Sequence, residues 1–321
     1  MKRLLILLPA FLLLSCEKKE LPVKKYDRGD VLTTQIAMGS DYRWQVWFSL
    51  NDNKVASTNL KSAWDLAFEA SVDGIHIMLN GSKAMRAYKT NAGSLADIKD
   101  TVGLAAYGKA DAPSGDMDST AIGDWRKDNK VYVINRGYNE SAISQGYYKI
   151  RIISASASQF IFEYGDVYGT EVYTGSVTKD AHYNFVYFSL SEHAQKQPEP
   201  ARTAYDLCFT QYTHIFTDPF QYYQVTGVLS NNNNTHIGLI KNKAFASIGI
   251  SDTLSCTFEA QRNAIGYDWK TFDLNTNLYT VDPTRCYIIR DTKGFYYKLH
   301  FIDFVNTSGV KGYPKFEFRK L

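Results

Sequence analysis

The 321-residue sequence is short of cysteine, of net charge and of long apolar runs, and each shortage excludes something. Four cysteines exclude a scaffold stapled by disulfides. A formal net charge of +3 gives no electrostatic case for nucleic acid, which calls for a clustered basic surface. The apolar stretch LLILLPAFLLL near the start is too short to cross a bilayer, which takes about 20 residues. Helical periodicity is nearly missing, and only SLADIKDTVGLAAY, residues 94–107, reads as a short helix. No H-E-x-x-H, G-x-S-x-G or C-x-x-C occurs, so no enzyme is expected. GLAAYGKA, residues 103–110, has phosphate-loop spacing but puts Ala110 where a magnesium-binding hydroxyl belongs, and no strand leads into it. What is plentiful is aromatic: 18 Phe, 23 Tyr and 5 Trp, enough with a 45% hydrophobic fraction for a sizeable core.

Lys2 and Arg3 precede the apolar run, which suits a secretory signal peptide over residues 1–15. The following LLSC resembles a bacterial lipobox. That resemblance implies cleavage after Ser15 and acylation of Cys16, palmitate being a typical chain, so that the protein is anchored to the outer membrane. Residues 16–39 read as a tether, because EKKELPVKK holds four lysines and no apolar period. The charged residues after Cys16 resemble a surface-export signal of Bacteroidetes lipoproteins and imply a cell-surface location. Loss of Lys2 and Arg3 with the signal takes the net charge from +3 to +1.

From residue 40 onward the signals are those of strands. RWQVWFSL sets Trp44, Val46, Phe48 and Leu50 on one face and Arg43, Gln45 and Ser49 on the other, the alternation of a half-buried strand. Segments then recur in order: WQVWFSL (44–50) as NFVYFSL (184–190), AWDLAF (63–68) as AYDLCF (204–209), AIGDW (121–125) as AIGYDW (264–269). VYVINRG with GYYKIRI (131–152) returns as CYIIRDTKGFYYKLHF (286–301), and FEY (162–164) as FEF (316–318). The expected fold is all-β, antiparallel and sandwich-like, built from two tandem related units, residues 40–170 and 171–321, either as two beads or as one fused body. DTKG reads as a hairpin turn, Asn231 to Asn234 as a loop tip, and Pro198 and Pro200 as marks of a loop inside the second unit. Asp65 and Asp206 recur and read as structural acceptors at strand edges, while Asp111, Asp116 and Asp118 read as a solvated acidic loop.

The lipobox, WDLAF at 64–68, the hairpin YIIRDTKGFYYKLHFIDF and the ending GYPKFEF together resemble the HmuY-like lipoproteins of Bacteroidetes, whose founding members bind haem at the cell surface. The resemblance implies an all-β fold, haem as ligand for capture and uptake, and a TonB-dependent transporter as partner. It also implies axial His or Met ligands, one just after the WDLAF-type strand, where this sequence has Glu69 and, in the second unit, Thr210. The alternative is a non-haem surface lipoprotein that binds a glycan or a partner.

For a haem or metal the best cluster is His214 and His236, which follow the DLCF strand and flank Phe216, Phe220, Tyr222 and Tyr223, aromatics able to cover a porphyrin face. The two imidazoles approach one another if the intervening strand turns back as a hairpin. His76 with Met78 and Met85 is the counterpart in the first unit. His300 reads as facing solvent, and His182 and His193 as loop residues. Of Cys208, Cys256 and Cys286 at most one pair can form, and Cys208 and Cys286 read as buried.

Overall fold

A computed structural model describes residues 28–106 and 108–321. Cys16, the signal peptide and the tether up to residue 27 lie outside the described residues. The first half contributes β1 (Leu32–Gln35), β2 (Trp44–Ser49), β3 (Lys54–Leu60), β4 (Leu66–Glu69), β5 (Ile77–Leu79), β6 (Arg86–Lys89), β7 (Tyr132–Asn135), β8 (Tyr147–Ala155) and β9 (Gln159–Asp166). The second half contributes β10 (Tyr173–Thr178), β11 (Phe185–Ser189), β12 (Ala194–Lys196), β13 (Leu207–Thr217), β14 (Phe220–Ser230), β15 (His236–Lys241) and β16 (Phe258–Glu259). It closes with β17 (Lys270–Asp273), β18 (Leu278–Val281), β19 (Arg285–Arg290), β20 (Tyr296–Val305) and β21 (Lys311–Lys320). The protein is all-β, its sheets antiparallel, with no α-helix among the described residues.

Four main sheets form two sandwiches. In the first, the five-stranded sheet β10-β9-β8-β7-β6 packs on the four-stranded sheet β12-β11-β4-β5, and Phe68, Ile77, Ile134, Phe160, Phe162 and Phe188 fill the space between. In the second, the six-stranded sheet β1-β21-β20-β19-β15-β16 packs on β14-β13-β2-β3 over Val46, Phe48, Phe209, Tyr287, Phe301 and Phe316. The boundary expected between residues 170 and 171 is not where these cores divide. One core runs from Leu66 to Leu190; the other joins Ile36 to Leu50 with Leu207 to Phe318. β2 pairs with β13 and β4 with β11, so each four-stranded sheet draws on both halves of the chain.

The two four-stranded sheets stand back to back at the centre. That corrects the half-buried reading of RWQVWFSL: Trp47, Gln45 and Ser49 are as buried as Val46 and Phe48, because the second face of β2 meets the other sandwich rather than water. Trp47 stacks edge-on against Tyr205 at 4.9 Å, and Trp64 against Tyr187 at 4.8 Å. The helix expected over 94–107 is a single 3-10 turn, Leu95–Asp97, capped by Ser94 and ended by extended backbone at Ile98. DTKG does form the β19–β20 turn, with Gly294 at φ +86°.

Candidate functional site

β13 and β14 pair along their whole length, from Leu207 with Ser230 to Thr217 with Phe220. β2 covers only Leu207 to Phe209; further out Thr213 donates to the Gly81 carbonyl at 3.2 Å and Tyr212 and Val225 pack on Tyr267, so that the exposed finger of the hairpin is its tip, around Phe216 to Tyr223. Side chains alternate across it. Tyr212, His214 and Phe216 share one face with Val225, Tyr223 and Gln221; Thr213, Ile215 and Thr217 share the other with Gln224, Tyr222 and Phe220. The aromatics selected from the sequence therefore fall on opposite faces.

On the first face the His214 ring lies 4.7 Å from Phe216 and 5.0 Å from Tyr267, and Phe216 lies 6.1 Å from Tyr223. Burial holds the His214 imidazole below its ordinary pKa, hence neutral at neutral pH, and its Nδ1 is buried with no protein partner. A neutral imidazole is the metal-binding form. On the second face Phe220 and Tyr222 stack edge-on at 5.0 Å, and the Arg86 guanidinium covers Tyr222 at 4.1 Å. Phe216 and Tyr223 on the first face are 36% and 54% exposed, and Phe220 on the second is 57% exposed.

His236 does not join His214. β14 does turn back along β13, but His236 opens β15 in another sheet, paired with Arg290, its Nδ1 3.1 Å from the Asn234 carbonyl. It follows the base of the hairpin, whereas His214 stands seven residues up β13, roughly 23 Å at about 3.3 Å per residue.

His76, the counterpart expected in the first unit, stands in the first sandwich. Ala67 faces Met78 and Phe68 faces Ile77, and the Glu69 amide donates to the His76 carbonyl at 3.0 Å, so Glu69 and His76 are cross-strand neighbours. His76 Nδ1 lies 2.7 Å from Glu69 Oε2, while Nε2 is 3.9 Å from the exposed Asp118. Burial raises the Glu69 carboxyl, but its bonds to His76 prevail and leave it below the ordinary range. Met78 and Met117 pack beside this pair against Trp64, Ala67, Phe185 and Tyr187. A carboxylate on one ring nitrogen with the other free is how metal-ligating imidazoles are commonly oriented. An imidazole thus stands beside Glu69, the position after the WDLAF-type strand, from just before β5; the turn between the strands is what sets the two opposite each other.

The remaining histidines are engaged elsewhere. His193 meets the Tyr164 hydroxyl at 2.9 Å and His182 meets Asp180 at 2.8 Å. His300 is half-buried rather than facing solvent, stacked on Phe245 at 4.1 Å and 3.0 Å from Glu317. Asp111 is not solvated either: its carboxylate turns inward to accept the amides of Leu79 and Ala121 at 2.6 and 2.7 Å, and burial pushes it up to about 7. Cys208, Cys256 and Cys286 are all free thiols, the first and last buried. Among the described residues no three His, Cys, Asp or Glu side chains gather into a metal site. The imidazoles present as candidate donors, His214 and His76, stand in different sandwiches, and His236 joins neither.

The HmuY protein family model matches residues 41–318, and the chain belongs to that family, a family of binding proteins. No curated protein matches. Among solved structures, the apo form of PinO from Porphyromonas gingivitis is 9% identical, covering 91% of this chain and 98% of its own, with a TM-score of 0.35. The apo HmuY analogue of Tannerella forsythia, TFO, is 10% identical over 92% of this chain and 98% of its own, with a TM-score of 0.27. No helix among the described residues is long and apolar enough to cross a membrane.

Proposed function

We propose that this protein is a lipoprotein of the outer membrane, exposed at the cell surface, that captures haem or a related flat apolar ligand and passes it to a TonB-dependent transporter. The observation that carries the reading is His214: a neutral imidazole with an unpartnered nitrogen, set among Phe216, Tyr223 and Tyr267 on a projecting hairpin. The aromatics cover the ligand face, which is where most of the affinity for a flat apolar molecule arises. Were haem bound, its iron would supply the acceptor for the His214 nitrogen.

Titration with hemin, followed by the Soret band, tests this. His214→Ala should weaken binding at least tenfold, about 1.4 kcal/mol, while His236→Ala leaves it unchanged. A second seat is favoured by the His76 and Glu69 pair, and loss of the band in His76→Ala alone would move the ligand there. No Soret shift at all would turn the exposed aromatics to the non-haem reading, a glycan or protein partner. The anchor has its own test: Cys16→Ser should move the protein to the soluble fraction, and retention through an alkaline carbonate wash would refute lipidation.

A further inference from the structure

Between the two back-to-back sheets lies a cleft of about 80 Å³, separate from the finger's outer faces. Trp47, Trp64, Ala67, Met78, Tyr187 and Leu229 give it apolar walls. The polar wall atoms are mostly spoken for. Trp64 Nε1 donates to Gln45 Oε1 at 2.9 Å, Gln45 Nε2 to Thr210 at 3.0 Å, and Trp47 Nε1 to Asn59 at 3.0 Å.

Arg262 is the exception. Its stem lies across Gly115, which holds φ +75° and where a side chain would collide with it. Its backbone is fixed by a 2.8 Å bond from its amide to the Ser114 carbonyl. Among the described residues, Nε alone of its guanidinium makes a hydrogen bond, 3.3 Å to the Ser230 carbonyl. The nearby carboxylates are committed to other donors. Glu199 receives Tyr187, Tyr205 and Asn184 at 2.8, 2.5 and 2.7 Å, and Asp111 receives two amides. Burial raises both carboxyls, which weakens any competition for the cation.

We propose that this cleft is a second ligand site, for a small carboxylic acid with an apolar body: the body lies against Trp47, Trp64, Met78 and Leu229, and the carboxylate sits on the Arg262 fork. A planar fork matches a carboxylate with two parallel bonds. A phosphate of the same size carries more charge into an apolar cleft and loses more hydration. At about 15 Å³ for each water-sized group, the 80 Å³ open to such groups admits a compact body of one ring and a short chain, not a long-chain acid.

Calorimetric titration of the purified protein with 4-phenylbutyrate and with its neutral amide tests the site. The acid should bind at least tenfold more tightly than the amide. Arg262→Gln should remove that preference while leaving the amide's affinity alone, and Arg262→Lys should restore part of it. Leu229→Phe, which fills the cleft without touching the cation, should abolish binding of both and serves where Arg262→Gln fails to fold. Equal binding of acid and amide, undiminished acid binding in either variant, or no binding of either probe overturns the proposal. Hemin binding in the same variants should be unchanged, which keeps this result apart from the fate of the haem reading.

Discussion

Asp65 and Asp206 make the same bond in opposite sandwiches: Asp65 accepts the amide of Leu190 at 2.7 Å, and Asp206 accepts the amide of Leu50 at 2.7 Å. Their surroundings differ in sign. Lys83 at 2.5 Å and Arg136 at 3.1 Å neutralise Asp65, both of them buried with it. Asp206 instead has Asp291 nearby, buried as well, with Lys293 a weaker counterweight. Burial raises both carboxyls; the two cations outweigh it at Asp65 and bring it below the ordinary range, whereas Asp206 is pushed up to about 7.

The pH dependence follows from Asp206. Its folded pKa of about 7 lies above the ordinary 3.8, so the folded state keeps a proton that the unfolded chain releases. Stability from this group is full below 3.8 and is lost as pH rises through about 7. Asp206→Asn keeps an acceptor for Leu50 and has no proton to lose. Its unfolding free energy should fall less than the parent's between pH 5 and pH 8, by an amount on the order of 2 kcal/mol, measured by chemical denaturation at each pH. Parallel pH profiles for the two proteins would refute it. Asp111, raised in the same way, leaves the variant some dependence of its own.

The same substitution in the first sandwich should act in the opposite direction. Asp65→Asn strands Lys83 and Arg136 without their counter-charge in a buried place, which costs about 3–5 kcal/mol. Chemical denaturation at pH 7 measures it. A cost below about 1 kcal/mol would mean that the two cations reach water and that the triad is not buried as described.

Gly137 is the backbone hinge of that triad. It holds φ +65° next to Arg136, and a side chain there would run into the Lys83 carbonyl, which already accepts the Tyr138 amide at 2.9 Å. Gly137→Ala should destabilise by more than about 2 kcal/mol, since the obstacle is backbone and cannot swing away. A thermal melt within a degree of the parent would contradict the geometry.

Strand identity, the DTKG turn and the acceptor role of Asp65 and Asp206 were legible in the sequence, because alternation and turn chemistry act over a few residues. The order in which segments recur was legible too. Partner choice was not: Phe48 meets Leu207 across more than 150 positions, and nothing local distinguishes that neighbour from one within its own half. The second buried face of β2, the inward turn of Asp111 and the separation of His214 from His236 all follow from how the sheets stack. So does the His76 seat, since Glu69 and His76 become neighbours only when β4 and β5 pair. Local periodicity determined that the described residues are β in class; which faces meet water, which charges meet each other and which imidazoles meet carboxylates or aromatic rings were decided by long-range packing, where burial sets the energy and sequence distance does not.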